Sequence, residues 1–197
     1  MTLVTAKHSV STYSGYVNIK RISLSTTALV AAVTLTLPGV APAEATSSAL
    51  PVDCQTNNVV LDEDGATYEL YGTCGVVTVT GDNITVTDLP STRKLLIKGD
   101  GDLVSGKPVD RVVVHGRDNR ITVQSARVAR VASPGSTLSV RGLLEVARVP
   151  GNHSHVLAKR LTKLFVDGNR NAVRVDRGET VVHDDGRHNA IRVHRRA

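Results

Sequence analysis

The sequence has very few aromatic side chains. Its 197 residues include no Trp, one Phe and four Tyr, and Met occurs once. This scarcity excludes a core of large rings, and it argues against the aromatic platforms on which proteins stack sugar rings or nucleic-acid bases. The core must therefore consist of Val, Ile, Leu and Ala. With 16 Gly, such a composition favours narrow, repetitive β-strands.

Cysteine is also scarce, and the two that occur are Cys54 and Cys74. A structural metal site would need further ligands close by, and the sequence offers none. An even pair in an exported chain is typical of a disulfide. We therefore predict a Cys54–Cys74 disulfide, which would stabilise the fold by about 3 kcal/mol through closure of its loop.

The N-terminal segment has the features of a secretory signal. Lys20 and Arg21 precede the uncharged, largely apolar stretch 22–37, and small residues follow. We predict that residues 1–43 are a signal peptide, cleaved after Ala43 or Ala45, and that the protein is secreted or held at the cell envelope. An uncleaved anchor helix is the alternative, although the apolar stretch is shorter than the roughly 20 residues that span a membrane.

A turn pattern recurs along the second half of the chain. Three clear copies contain Gly followed three residues later by Asn, and two aliphatic residues come after each copy. Including weaker copies, the turns begin at residues 99, 116, 133, 151, 168 and 186, with spacings of 17, 17, 18, 17 and 18. A fixed period of this length indicates a repeat architecture.

Aliphatic residues form columns when the copies are aligned. One column lies two residues before each turn and another lies five residues after its start: Ile97, Val114, Val131, Val149, Val166; and Val104, Ile121, Leu138, Val156, Val173, Ile191. Neighbouring positions alternate in polarity, as β-strands with one buried face do. The pattern predicts an all-β fold, a single-stranded parallel β-helix or β-solenoid with coils of about 17–18 residues. The hand of the coil stays open, and an antiparallel meander or sandwich is the alternative.

The turns themselves suggest specific roles for their residues. We expect the glycines to supply the positive φ of a tight turn. We also expect the asparagines to form a ladder whose amides bind turn backbone groups. The residues of this predicted ladder are Gly116, Asn119, Gly168, Asn171, Gly186 and Asn189.

The remaining segments complete the predicted organisation. Residues 44–53 are expected to form a flexible lead, and residues 54–98 irregular opening coils that the disulfide pins. Gly81-Asp82-Asn83 repeats the turn chemistry, but out of register with the later copies. Residues 99–197 are the regular coils. Glu179 and Asp184 replace apolar residues near the end and suggest a polar cap.

The signal segment, the Cys54/Cys74 pair and the Val-rich Gly-x-x-Asn repeats occur together, with copies at Gly116/Asn119, Gly168/Asn171 and Gly186/Asn189. In this combination the chain resembles the exported bacterial domain-of-unknown-function family 3060 over roughly residues 54–197. The resemblance implies a β-solenoid fold and brings no activity with it.

No group of residues commits the chain to a reaction. His188 with Asp184 or Asp185 is a weak candidate for a metal site, and Arg170 is an unfavourable neighbour for a cation. The carboxylates at Asp62-Glu63-Asp64 and at Asp100/Asp102 are candidate general acids or calcium ligands. We expect no catalytic residues, no metal and no cofactor. A carbohydrate-active β-helix enzyme using carboxylates of the acidic half is the alternative.

Charge is distributed unevenly along the chain. Residues 44–106 hold 10 acidic and 3 basic groups, a net of −7, whereas residues 107–197 hold 8 acidic and 18 basic groups, a net of +10. Arg130, Arg148, Arg174 and Arg192 fall at outward positions, and Arg suits bidentate contacts with phosphate or carboxylate. We therefore expect a structural or binding module with a basic face for an anionic envelope polymer or lipid headgroups. No nucleic-acid partner is expected.

Overall fold

A computed structural model of the chain describes residues 16–17, 49–55 and 57–195. The strands are β1 (Tyr16–Val17), β2 (Leu50–Asp53), β3 (Asn58–Leu61), β4 (Thr67–Tyr71), β5 (Cys74–Val79), β6 (Thr85–Leu89), β7 (Thr92–Ile97), β8 (Leu103–Gly106), β9 (Val109–Val114), β10 (Arg120–Val123), β11 (Ala126–Val131), β12 (Thr137–Val149), β13 (His155–Val166), β14 (Ala172–Asp184) and β15 (Ala190–Arg195). Apart from β1, the predicted signal peptide lies outside the described residues.

The strands stack in parallel as a β-solenoid of about eight coils, which confirms the predicted fold class. Each coil supplies one strand to each of two stacks. In the first stack β2, β4, β6, β8 and β10 lead to the N-terminal half of β12, and in the second β3, β5, β7, β9 and β11 lead to its C-terminal half. Strands β12 to β14 bend and contribute to both stacks. Every strand pair among the described residues is parallel, so a meander or antiparallel sandwich is excluded.

The predicted columns are aligned on neighbouring coils. Val131 pairs with Val114 and Val149 with Val166 in one stack, and Ile121 pairs with Val104 and Leu138 in the other. These side chains are almost completely buried, and they belong to one core cluster that draws on both stacks. Because a single coil is too thin to enclose its own apolar face, each coil depends on its neighbours for burial.

The opening coils are more regular than the sequence analysis predicted. Val59 pairs with Val77, which pairs with Leu95, so the step of 18 residues extends back to the first coils. The flexible lead was wrongly extended over Leu50–Asp53, because these residues form β2 against β4 and bury Val52. Val52 is the buried residue of β2, and all four residues of the strand pair with β4.

The disulfide joins two adjacent coils at the N-terminal end. The Cα atoms of Cys54 and Cys74 are 4.9 Å apart, and both residues are buried. The N–H of Cys54 donates to the carbonyl of Tyr71, and the N–H of Cys74 donates to that of Ser91. The bridge therefore links backbone segments that already belong to the hydrogen-bonded stack.

Each coil contains a four-residue turn between its two strands. The turns start at residues 63, 81, 99, 116, 133, 151, 168 and 186, so Gly81-Asp82-Asn83 is in register and the prediction that it is not was wrong. The third position has positive φ in every turn: Gly65, Asn83, Gly101, Asp118, Gly135, His153, Arg170 and His188. The glycines at the first position do not, so the predicted reason for their presence was also wrong.

The first-position glycines are required for close stacking. A β-carbon added to Gly99, Gly116, Gly168 or Gly186 would overlap the carbonyl oxygen of the turn one coil earlier. Among the later turns, Ser133 is the exception to glycine at the first position. Its hydroxyl donates a hydrogen bond to the hydroxyl of Ser136 at 2.8 Å. Backbone-to-backbone contact at this corner therefore limits the residue type more strongly than φ does.

Candidate functional site

The fourth position of the turns forms an inner ladder of polar side chains. Its buried members are Asp102, Asn119, Ser136, Ser154 and Asn171, and Asn189 continues it at the C-terminal end. Asn119 accepts the backbone N–H of Asp102 at 2.7 Å, and Asn171 accepts that of Ser154 at 2.8 Å. Each Asn side chain also donates its amide to the first carbonyl of the preceding turn. The structure therefore places Asn119, Asn171 and Asn189 in one column in contact with turn backbone.

The side chains at the second turn position form an outer ladder, in which the accepted hydrogen bonds come from the opposite direction along the solenoid. Here a side chain accepts the N–H of the second residue in the following turn, instead of the preceding one. Asp64, Asp82 and Asp100 do so in the acidic half, and Asn152 and Asn169 do so in the basic half, at distances of 2.7–2.9 Å. This ladder was not among the predicted features. Its signal was present as Asp or Asn one residue after a turn glycine in four of the five cases, whereas Asp64 follows Glu63.

Three of the five candidate general acids, Asp64, Asp100 and Asp102, are part of these ladders. Asp64 and Asp100 hold backbone N–H groups, and Asp102 is only 1% exposed. The pKa of Asp102 is raised to about 6, chiefly by burial and also by the charges of Asp82, Asp100 and Asp64, against the lowering effect of the hydrogen bond from the Ile84 N–H. A carboxyl group enclosed in this way has no access to a substrate, and its role is in the packing of the coils.

The candidate metal ligands do not converge. Asp184 accepts hydrogen bonds from its own turn, from Gly186 N–H at 3.2 Å and from the Asn189 amide at 2.8 Å. The Oδ2 atom of Asp185 lies 4.0 Å from Nε2 of His183, and both side chains are exposed. No group of three or more His, Cys, Asp or Glu side chains within the part of the chain that the structure describes could hold a metal ion.

The four predicted anion-binding arginines fall into two pairs on different stacks. Arg130 and Arg148 are neighbours on β11 and β12 in the second stack. Arg174 and Arg192 are neighbours on β14 and β15 in the first stack. A single Arg-lined face, as the sequence suggested, is therefore wrong, because the two pairs lie on opposite sides of the turn.

The pair on the second stack is associated with the one Phe of the chain. The guanidinium of Arg148 lies 5.1 Å from the ring centroid of Phe165, and the ring of His183 lies 6.0 Å from it on the far side. A cation–π contact of this kind holds the Arg148 side chain against its own surface. Arg148 is therefore less available to an external anion than a free guanidinium would be.

The pair on the first stack borders a basic groove. The groove has a volume of about 630 Å³, and its charged lining residues are Arg141, Lys159, Arg174, Arg177 and Asp176. Arg174 donates to Asp176 at 3.2 Å, and Arg192 extends the positive surface past Val175 into the last coil. Five cationic side chains therefore face one carboxylate along this surface.

Strand register places these charges on successive coils. Val140, Ala158 and Val175 are aligned on β12, β13 and β14, and Arg141, Lys159 and Asp176 each follow one of them. Leu157, which is 41% exposed, pairs with Arg174 and gives the groove an apolar patch. The predicted residues do not include Arg141, Lys159 and Arg177, because the bend that makes the surface concave has no clear residue signature.

A second groove of about 470 Å³ crosses the corner near the disulfide. Its lining includes Cys74, Thr92, Arg93, Asp110, Arg127 and Glu145. Arg127 binds Asp110 through two hydrogen bonds, at 2.5 and 3.0 Å, which lowers the pKa of Asp110. These opposite charges satisfy each other, so this groove offers an external anion less than the basic groove does.

Comparison with known proteins finds a family match over part of the chain and no named activity. No curated protein and no solved structure matches the chain. Residues 49–55 and 57–195 contain no helix with the length and apolarity that crossing a membrane requires. Residues 131–188, which include the whole of β12, β13 and β14, match the family described as "Protein of unknown function (DUF3060)", so the resemblance predicted from the repeats is confirmed over this part of the chain.

Proposed function

We propose that this protein is an exported, non-enzymatic binding module that holds an anionic polymer in the basic groove. The observation that carries the proposal is the concave lining by Arg141, Lys159, Arg174 and Arg177 against the single carboxylate of Asp176. Guanidinium groups bind phosphate and carboxylate through paired hydrogen bonds, and several of them along one channel favour a ligand with repeated charges.

The shape of the surface favours a polymer over a lipid surface. Neighbouring parallel strands lie about 4.8 Å apart, so Arg174 and Arg192 present positive charges at that spacing along the solenoid axis. An extended chain with regularly placed anions can run along the groove and contact several coils. A flat bilayer would touch the rims of the groove and leave its lining unused.

A paired substitution experiment tests the proposal. The groove variant is Arg174→Ser/Arg192→Ser, and the matched control is Arg130→Ser/Arg148→Ser, which removes the same charge from the other stack. We expect about tenfold weaker binding of linear polyphosphate or polygalacturonate by the groove variant, because each exposed ion pair contributes up to about 1 kcal/mol. The control variant should bind within about twofold of the native protein.

Several outcomes would contradict the proposal. Equal loss in both variants would mean that net charge alone attracts the polymer, and binding to neither polymer would exclude this ligand class. Binding confined to vesicles containing phosphatidylglycerol would favour lipid headgroups instead. Release of new reducing ends from polygalacturonate would favour the carbohydrate-active enzyme.

Export is tested independently of the ligand. We expect the protein from cell-envelope or medium fractions to begin at Glu44 or Thr46, as N-terminal sequencing or mass spectrometry of the intact protein would show. A chain recovered with residues 1–43 attached would favour the anchored alternative.

A further inference from the structure

Asp102 occupies a rung of the inner ladder where the other residues donate a hydrogen bond. Asn119, Asn171 and Asn189 donate their amides, and Ser136 and Ser154 their hydroxyls, to the first carbonyl of the preceding turn, at 2.6–3.2 Å. By the same register Asp102 should donate to the carbonyl of Gly81. An ionised carboxylate has no proton to donate.

The two oxygens of the Asp102 carboxyl have different surroundings. Oδ1 accepts the N–H of Ile84 at 2.8 Å, whereas Oδ2 is buried and has no partner among the described residues. A buried polar atom without a partner is costly, and in native proteins it usually has a specific explanation. Oδ2 is therefore the atom whose state has to be explained.

The position of Oδ2 matches that of a donor in the next coil. Oδ2 is 3.0 Å from the point where a β-carbon of Gly99 would lie, and the carbonyl oxygen of Gly81 overlaps the same point. In the next coil Nδ2 of Asn119 is 2.9 Å from the corresponding point at Gly116, and this nitrogen donates to Gly99 at 2.9 Å. Oδ2 thus lies where a donor to Gly81 is required.

We propose that the Asp102 carboxyl is protonated in the folded protein and donates its O–H to the carbonyl of Gly81, and that loss of this proton weakens the joint between these two coils. The inference does not depend on the proposed function. It makes Asp102 a proton-dependent contact near the boundary between the acidic and basic halves of the solenoid.

The charges around Asp102 support retention of the proton. The preceding turn contributes Asp82, with Asp64 one coil further, and its own turn contributes Asp100. The other charged groups of the neighbouring turns, Lys98, Arg117 and Asp118, are exposed. Burial and the three carboxylates together raise the pKa of Asp102 to about 6, against the hydrogen bond from Ile84.

The sign of the pH effect follows from this shift. The usual pKa of Asp is about 3.9, so between pH about 4 and 6 the folded state binds a proton that the unfolded state releases. The contribution of Asp102 to stability is therefore present at low pH and is lost as pH rises through about 6. Two pKa units correspond to an approximately hundredfold fall in the folding equilibrium constant.

Denaturant unfolding between pH 4 and 8 tests the proposal in the native protein and in Asp102→Asn. The amide can donate to Gly81 at any pH, so the variant should lack the hundredfold fall and should be the more stable protein at pH 7.5. All other titrating groups contribute to both proteins, so the difference between the two curves isolates Asp102. Parallel curves, or a less stable variant at pH 7.5, would overturn the proposal.

Two further measurements keep the proposal testable if that variant does not fold. The carboxyl ¹³C signal of Asp102 in the native protein should titrate near pH 6, and titration near pH 4 would refute the proposal. Asn171→Asp places a carboxyl on the equivalent rung, facing the carbonyl of Gly151. It should be destabilised at pH 7.5 and regain stability on acidification, and an unchanged pH profile would also count against the proposal.

Discussion

The carbonyl oxygen of Gly99 occupies the space in which a β-carbon of Gly116 would lie. A side chain at residue 116 has to displace backbone of the preceding coil, which is held by its own hydrogen bonds. We expect Gly116→Ala to destabilise the protein by about 3 kcal/mol, at the upper end for overpacked sites. Denaturant unfolding measures the loss.

The matched control for that substitution is Gly65→Ala. No atom lies within 4 Å of an added β-carbon there, so only the positive φ of 70° opposes the change. Its cost should be about 1 kcal/mol. Equal losses at the two positions would mean that backbone conformation, and not coil spacing, selects glycine at the first position.

The third turn position offers substitutions that stabilise the protein. His153, Arg170 and His188 have φ between 54° and 59°, a region that costs residues with a β-carbon about 1–2 kcal/mol. Relief of this strain in Arg170→Gly should therefore raise the free energy of unfolding by about 1 kcal/mol. The conformational entropy that glycine adds to the unfolded chain reduces this gain. Arg170→Ala is the control, because it removes the side chain and keeps the strain. A gain in the alanine variant and none in the glycine variant would refute this explanation.

The disulfide should contribute chiefly to the first coils. Cys54→Ser/Cys74→Ser is expected to lose about 3 kcal/mol, since the closed loop has about 20 residues. Hydrogen exchange should show the loss of protection in β2 to β5, with β12 to β14 unaffected. Uniform loss of protection along the chain would indicate that all coils unfold as one unit.

The sequence was sufficient to predict the stacking of the regular coils. Columns such as Val114, Val131, Val149 and Val166 recur at one period, and an aliphatic residue in a thin core has no alternative neighbour. The opening turns were harder to identify. Glu63 and Ala66 stand where later turns have Gly and Asn, and Asn83 occupies the positive-φ position, so the alignment there was misplaced by one residue.

The surface features could be predicted only in part. Spacing from the turns correctly placed Arg130 and Arg174 outside the core, but it gave no curvature, so their separation on two stacks and the groove beside Arg174 required the structure. Asp102 was identified as a candidate acid because it lies two residues from Asp100 and next to Gly101. Its burial depends on register with Asn119, which an Asp in a Gly-rich turn does not reveal.

The two ladders also determine how such a molecule can change in size. The ladder hydrogen bonds join residues 17 to 21 positions apart, so each of them links only neighbouring coils. Inserting or removing one whole coil therefore preserves the bonding pattern of the ladders. The solenoid can therefore lengthen or shorten only in steps of about 4.8 Å, and the length of its basic groove would increase in proportion to the number of coils.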